Sequence, residues 1–139
     1  MLRSLFTCGA SRSLARKYSS DSPSRILDFV QVRKIIHGMT PIQYALIDVR
    51  EPAEVQEGKI PTSTNIPLGE VVDAFQSDEK SFAIKYGIPK PNPNVDVIFY
   101  CKSGFRSQKA FDAIEKLGLN LRLFNYKGSW SDYEKNTFK

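Results

Sequence analysis

Val95-Asp-Val-Ile-Phe-Tyr-Cys101-Lys-Ser-Gly-Phe-Arg106-Ser107 joins a short apolar run to a polar, glycine-containing loop and then to the start of a helical pattern. The run 95–100 has the length and near-continuous apolar character of a strand buried on both faces of a parallel sheet. From Ser107 to Leu117, the residues Ala110, Phe111, Ile114 and Leu117 recur on one helical stripe, and Gly118 closes the helix. Strand, loop and helix in this order form half of a βαβ unit. Cys101 then stands beyond the carboxyl end of a strand, where open α/β sheets form their working crevice.

Working outward, Tyr44-Ala-Leu-Ile-Asp-Val49 is a second buried strand, and Leu121 to Phe124 another. Ser24 to Leu27 reads as a short strand. Asp28 is an N-cap for a helix carrying Phe29, Val32, Ile35 and Ile36, and Gly38 stops it. Glu51-Pro52 opens a short helix through Val55, because proline is tolerated in a first turn. Asn65-Ile66 is a short strand, Gly69 to about Tyr86 reads as one helical stretch, and Pro89 to Asn94 is a surface loop. Ser129 to Lys135 forms a short last helix. Strands alternating with helices predict an α/β fold, a parallel sheet with helices on both faces.

A single domain fits 139 residues, of which 41% are apolar and 25% charged. The net charge of +5 is local: four of the 20 basic residues, Arg3, Arg12, Arg16 and Lys17, lie in the acid-free stretch 1–20. The 16 that follow face 15 acidic residues, so the body is nearly neutral and a basic nucleic-acid footprint loses its support. Residues 1–18, rich in Arg and Ser and interspersed with Leu2, Leu5, Phe6 and Leu14, are expected to be a mitochondrial transit peptide directing the chain to the matrix. Cleavage is expected after Tyr18, followed by a strand and helix segment over 19–38 and the main domain over 39–137. No apolar run approaches the roughly 20 residues of a membrane helix. Of the two cysteines, Cys8 lies in the leader. The single remaining thiol excludes an internal disulfide, and one Cys with His37 cannot supply a structural zinc site. No metal or cofactor is called for.

The loop after Tyr100 carries the chemistry. A strand–loop–helix turn points main-chain N–H groups inward, and the helix adds the positive end of its dipole. Arg106 and Lys102 bring full positive charge, and Gly104 lets the loop curl tightly. All of these favour a thiolate, so Cys101 is expected to have a lowered pKa. A nucleophilic sulfur in a cationic cradle suits a dianion with a soft, attackable atom. Thiosulfate fits, with sulfite leaving and the sulfur held as a persulfide until a thiol or cyanide removes it. Asp48, at a strand end, reads as an orienting salt-bridge or amide-accepting carboxylate rather than a base, since an ionised thiol has no proton to give up. Trp130 is expected to pack the last helix on the sheet or line the crevice mouth, and Phe105 to pack under the loop or shape acceptor access.

Three blocks then resemble the single-domain rhodaneses over about residues 39–135. They are Leu46-Ile-Asp-Val-Arg-Glu-Pro52 with Glu57-Gly-Lys-Ile-Pro61 and Asn65-Ile-Pro67, the loop Cys101 to Arg106, and Tyr126-Lys-Gly-Ser-Trp130. The resemblance implies a rhodanese-like fold, a five-stranded parallel sheet between helices, and a sulfurtransferase with Cys101 as persulfide carrier. It implies that Lys102 and Arg106 bind the sulfonate end of the donor within the loop 102–106 (Lys102, Ser103, Gly104, Phe105, Arg106), and that Asp48 and Arg50 hold the loop's surroundings. The family often has His where this chain has Lys59, and two glycines where it has Gly128-Ser129; neither departure is expected to touch the nucleophile. Related phosphatases and arsenate reductases have one more residue between Cys and Arg than the four here, a larger ring that fits a tetrahedral oxyanion. Those activities, or a non-catalytic docking module, are the alternatives.

Overall fold

Alternation along three central strands divides the core into two layers. The computed structural model describes residues 25–138. Strand β2 (Tyr44–Asp48) turns Ala45 and Ile47 to one face and Leu46 to the other; β4 (Asp96–Tyr100) does the same with Val97 and Phe99 against Ile98 and Tyr100. In β5 (Arg122–Tyr126), Leu123 joins the first layer and Phe124 and Tyr126 the second. This period-two pattern on strands with few polar residues is what a sheet covered on both faces requires.

Two short strands, β1 (Ile26–Leu27) and β3 (Thr64–Asn65), complete a five-stranded sheet in the order β1-β5-β4-β2-β3. All its pairings are parallel. One face is covered by α3 (Leu68–Gln76), α4 (Glu79–Tyr86) and α5 (Phe105–Lys116), through Val71, Phe75, Phe82, Ala110 and Ile114. The other face is covered by α1 (Phe29–Ile36) and α6 (Ser129–Thr137), through Val32, Ile35, Trp130 and Tyr133. A single-turn helix, α2 (Pro52–Gln56), buries no residue and follows β2 at the crevice. The α/β architecture expected from the sequence is the one observed.

Several local expectations need correction. The stretch 69–86 is two helices. Ser77 is extended at ψ 164°, its hydroxyl donates to the Ala74 carbonyl at 2.7 Å, and the Asp78 carboxylate caps α4 by accepting from Ser81 N at 2.7 Å. Ser and Asp compete with the helical backbone in this way, and two adjacent cap residues end one helix and start the next. Helix α5 begins at Phe105, two residues early, and β5 runs on to Tyr126. Residues before 39 share the core: β1 pairs with β5, and Leu27, Val32 and Ile35 pack with Trp130. The transit-peptide reading lies outside the described residues. Among those residues, no helix is long and apolar enough to cross a membrane.

Candidate active site

Cys101 follows β4 directly and is buried. The chain leaves the strand, Gly104 adopts φ +94°, and α5 starts at Phe105, so the loop folds back over the sulfur. Two main-chain amides reach Sγ, from Gly104 at 3.1 Å and Ser107 at 3.3 Å, and the Ser107 hydroxyl is hydrogen-bonded to it at 3.5 Å. Burial pushes the thiol up. The Ser107 hydroxyl and the amides of Ser107, Ser103 and Gly104 outweigh it, and the pKa of Cys101 falls below its ordinary value. The expected amide cradle is present, and Ser107, in the first turn of α5, is a member of it.

The loop is gripped from behind by the start of α6. Trp130 N donates to the Cys101 carbonyl and Ser131 N to that of Lys102, both at 2.9 Å. Cys101 N donates to Ser129 Oγ at 3.1 Å, and Ser129 Oγ lies 4.0 Å from Sγ. This corrects the expectation that Gly128-Ser129 stays clear of the nucleophile: Ser129 touches it. The other departure, Lys59, is exposed, and its Nζ reaches the Ser63 carbonyl at 3.5 Å.

Asp48 and Arg50 form a buried ion pair beside Trp130. Their side chains are 0% and 2% exposed, with Arg50 Nη2 to Asp48 Oδ2 at 2.7 Å and Nε to Oδ1 at 3.0 Å. Asp48 Oδ1 also accepts Arg50 N at 3.0 Å, so it is both salt-bridged and amide-accepting. Burial works against the Arg50 charge. The hydrogen bonds and charge of Asp48 outweigh it and raise the Arg50 pKa above its ordinary value. The guanidinium donates to the Gly58 carbonyl at 2.8 Å and lies 5.3 Å from the ring centroid of Trp130, the residue whose amide holds Cys101. Gly58 is required there: a Cβ on it would come within 2.7 Å of Trp130 Cζ2. Tyr100 donates to Ser63 Oγ at 3.0 Å and accepts Ile60 N at 3.1 Å; burial raises its phenol and keeps it neutral.

The rim holds the remaining loop residues. Lys102 and Ser103 are exposed, and Phe105 projects outward at 69% exposure with Lys109 Nζ 4.7 Å from its ring centroid. Arg106 is committed to a partner that the sequence reading did not name. It grips Glu54 of α2 bidentately, at 2.8 and 3.0 Å. That pairing lowers the Glu54 carboxyl to about 2 and raises Arg106. The pair is 52 residues apart in the chain, and nothing in the spacing of Glu51 to Glu54 points to it.

Gly104 is where backbone freedom matters most. A Cβ there would be driven into the Lys127 carbonyl, a main-chain atom that cannot step aside cheaply, and the left-handed φ is costly for any other residue. Gly104→Ala is expected to cost about 3 kcal/mol in chemical denaturation and to slow alkylation of Cys101 at pH 7 about tenfold or more, since the Gly104 amide would leave the sulfur. Unchanged alkylation would show that this amide does not support the thiolate.

Comparisons with known proteins agree with this fold. The family model described as rhodanese-like domain matches residues 31–136. The thiosulfate:glutathione sulfurtransferase of Saccharomyces cerevisiae is 36% identical over 105 residues, covering 76% of this chain and 74% of that protein. The mouse thiosulfate sulfurtransferase/rhodanese-like domain-containing protein 3 is 43% identical over 63% of this chain. The matched stretch spans 56% of the mouse protein and 61% of a Schizosaccharomyces pombe relative that is also 43% identical. Among solved structures, the S. cerevisiae single-domain sulfurtransferase RDL2 superposes with a TM-score of 0.72 at 30% identity, covering 86% of this chain and 94% of that one. Fold and sequence thus coincide, and the chain belongs to the rhodanese-like domain family.

Proposed function

We propose that this chain is a sulfurtransferase that carries sulfane sulfur as a persulfide on Cys101, taking it from thiosulfate or a persulfide donor and passing it to a thiol or cyanide. The observation that carries this reading is a single sulfur atom ringed by main-chain amides in a tight four-residue loop. In the first half-reaction the Cys101 thiolate attacks the outer sulfur of thiosulfate. A bond from Sγ to that sulfur forms, the bond from it to the sulfonate sulfur breaks, and sulfite departs with the electron pair. The persulfide keeps one negative charge on the outer sulfur. In the second, an acceptor thiolate or cyanide attacks the outer sulfur and Cys101 leaves as the thiolate.

In this reading the amides of Ser103, Gly104 and Ser107 hold the anionic sulfur, Arg106 presents charge to the sulfonate end from the position Glu54 gives it, and Lys102 contributes from the rim. Asp48 and Arg50 support the site through Gly58 and Trp130, and Phe105 shapes the approach of the acceptor. The relatives named thiosulfate:glutathione sulfurtransferase support thiosulfate as donor and a small thiol as acceptor. The basic, acid-free residues 1–18, together with a relative named thiosulfate sulfurtransferase RDL2, mitochondrial, support a mitochondrial location, and we assign the matrix as the compartment.

The test is intact-mass analysis after exposure to thiosulfate. One added sulfur localised to Cys101 is expected, with stoichiometric sulfite release, and its loss on addition of glutathione or cyanide. Absence of the adduct alongside turnover of an aryl phosphate or arsenate would overturn the reading.

A further inference from the structure

Ser129 is the buried residue at this site with the least comfortable backbone. Its φ is +59°, in the left-handed region that glycine enters freely and residues with a Cβ rarely adopt, and its side chain has no exposure. A glycine would occupy that backbone without strain, so what serine adds is its hydroxyl. Every polar contact of that hydroxyl is directed at the active loop or its anchor. Oγ accepts Cys101 N at 3.1 Å, donates to the Tyr126 carbonyl at 2.8 Å, and lies 4.0 Å from Cys101 Sγ.

We propose that Ser129 is a positioning residue for Cys101, its hydroxyl fixing the peptide that carries the nucleophile and supplying the sulfur with a second hydroxyl neighbour beside Ser107. The Cys101 amide would otherwise be a buried donor without a partner. The neighbouring amides of Trp130 and Ser131 hold the carbonyls of Cys101 and Lys102, so residues 129–131 hold the peptide groups on both sides of the Cys101 Cα that sets where Sγ stands. Charge on Sγ draws the Ser129 proton, which otherwise rests on the nearer Tyr126 carbonyl, and a thiolate so supported forms at lower pH. It is also the better leaving group when an acceptor takes the outer sulfur. This inference deepens the sulfurtransferase reading and in its last step rests on it.

The experiment uses Ser129→Ala, which removes the hydroxyl and keeps the strained backbone, and Ser129→Gly, which removes the hydroxyl and relieves the strain. Iodoacetamide alkylation of Cys101 is followed against pH in the full chain, a readout that needs no sulfur donor. Both variants are expected to shift the profile to higher pH and to react about threefold more slowly at pH 7, while circular dichroism and thermal unfolding report an intact fold. A role confined to the turn would leave the profile in place and let Ser129→Gly match or exceed the parent. An unshifted profile in either folded variant overturns the proposal; should Ser129→Ala not fold, Ser129→Gly decides alone. If alkylation shifts but thiosulfate leaves no adduct on the parent chain, the sulfurtransferase reading fails and the positioning role stands.

Discussion

Asp48→Asn is expected to destabilise the domain by about 3–5 kcal/mol, because it leaves the guanidinium of Arg50 buried without its counter-charge. The substitution is nearly isosteric, so the loss measures charge and hydrogen bonding rather than a cavity. In the parent, Asp48 takes three side-chain or main-chain donations from Arg50 at 3.0 Å or less, and both side chains are essentially sealed from water. An amide in its place can accept from Arg50 but cannot balance its charge, and water cannot reach to do so. The midpoint of thermal unfolding should fall by roughly 10–20 °C. The damage extends to the chemistry, since Arg50 stacks on Trp130 and Trp130 N holds the Cys101 carbonyl. Cys101 should therefore alkylate more slowly even at temperatures where the variant is folded. A loss under about 1 kcal/mol would mean that water screens the pair, contrary to its burial.

Cys101→Ser is expected to abolish the sulfur adduct and to lower sulfite release by at least about 10³-fold while leaving the fold intact. Oxygen fits the space of sulfur, so the cradle can close around it. A serine hydroxyl, however, stays protonated at neutral pH and cannot hold a transferable sulfur. The companion result is the pH profile of the parent. Because the folded pKa of the thiol lies below its ordinary value, the thiolate fraction rises as pH increases through that lowered value and saturates before a free cysteine would, near about 8.5. The rate of sulfite release should follow the same curve, falling tenfold per pH unit on the acid side. Glu54 does not contribute to that limb, since its pairing with Arg106 holds its carboxyl at about 2 and the pair stays ionised wherever the thiolate exists. A profile still rising above pH 9 would remove the lowered thiol from the explanation. Residual sulfur on the serine variant would place the carrier elsewhere.

Much of this site could be read from local sequence because its central piece is local. A strand, a glycine and a helix start within 13 residues dictate that amides converge on the position after the strand, and Cys101, Gly104 and Ser107 all lie inside that window. The layers of the core are equally local, since alternation along β2, β4 and β5 assigns each residue a face regardless of its neighbours in space. The break at Ser77-Asp78 has only a weak local sign, two adjacent residues that favour helix caps, and the contacts that make it a break are seen in the fold.

The partners joined across the fold were not legible. Glu54 meets Arg106 because parallel pairing sets β2 beside β4, so that α2 and α5, which follow those strands, open onto one crevice. Ser129 meets Cys101 because β5 pairs with β4 on its other side and returns the chain at the same sheet end. By itself the sequence determined an α/β fold, the place of Cys101 at a strand end and the loop whose amides surround it, since each depends on periodicity or on spacing within one turn of chain. Tertiary structure alone decided which charge meets Arg106, which hydroxyl stands behind Cys101 and how Arg50 reaches Trp130. Those contacts depend on which strands lie side by side, and strand order is a property of the folded sheet rather than of any segment within it.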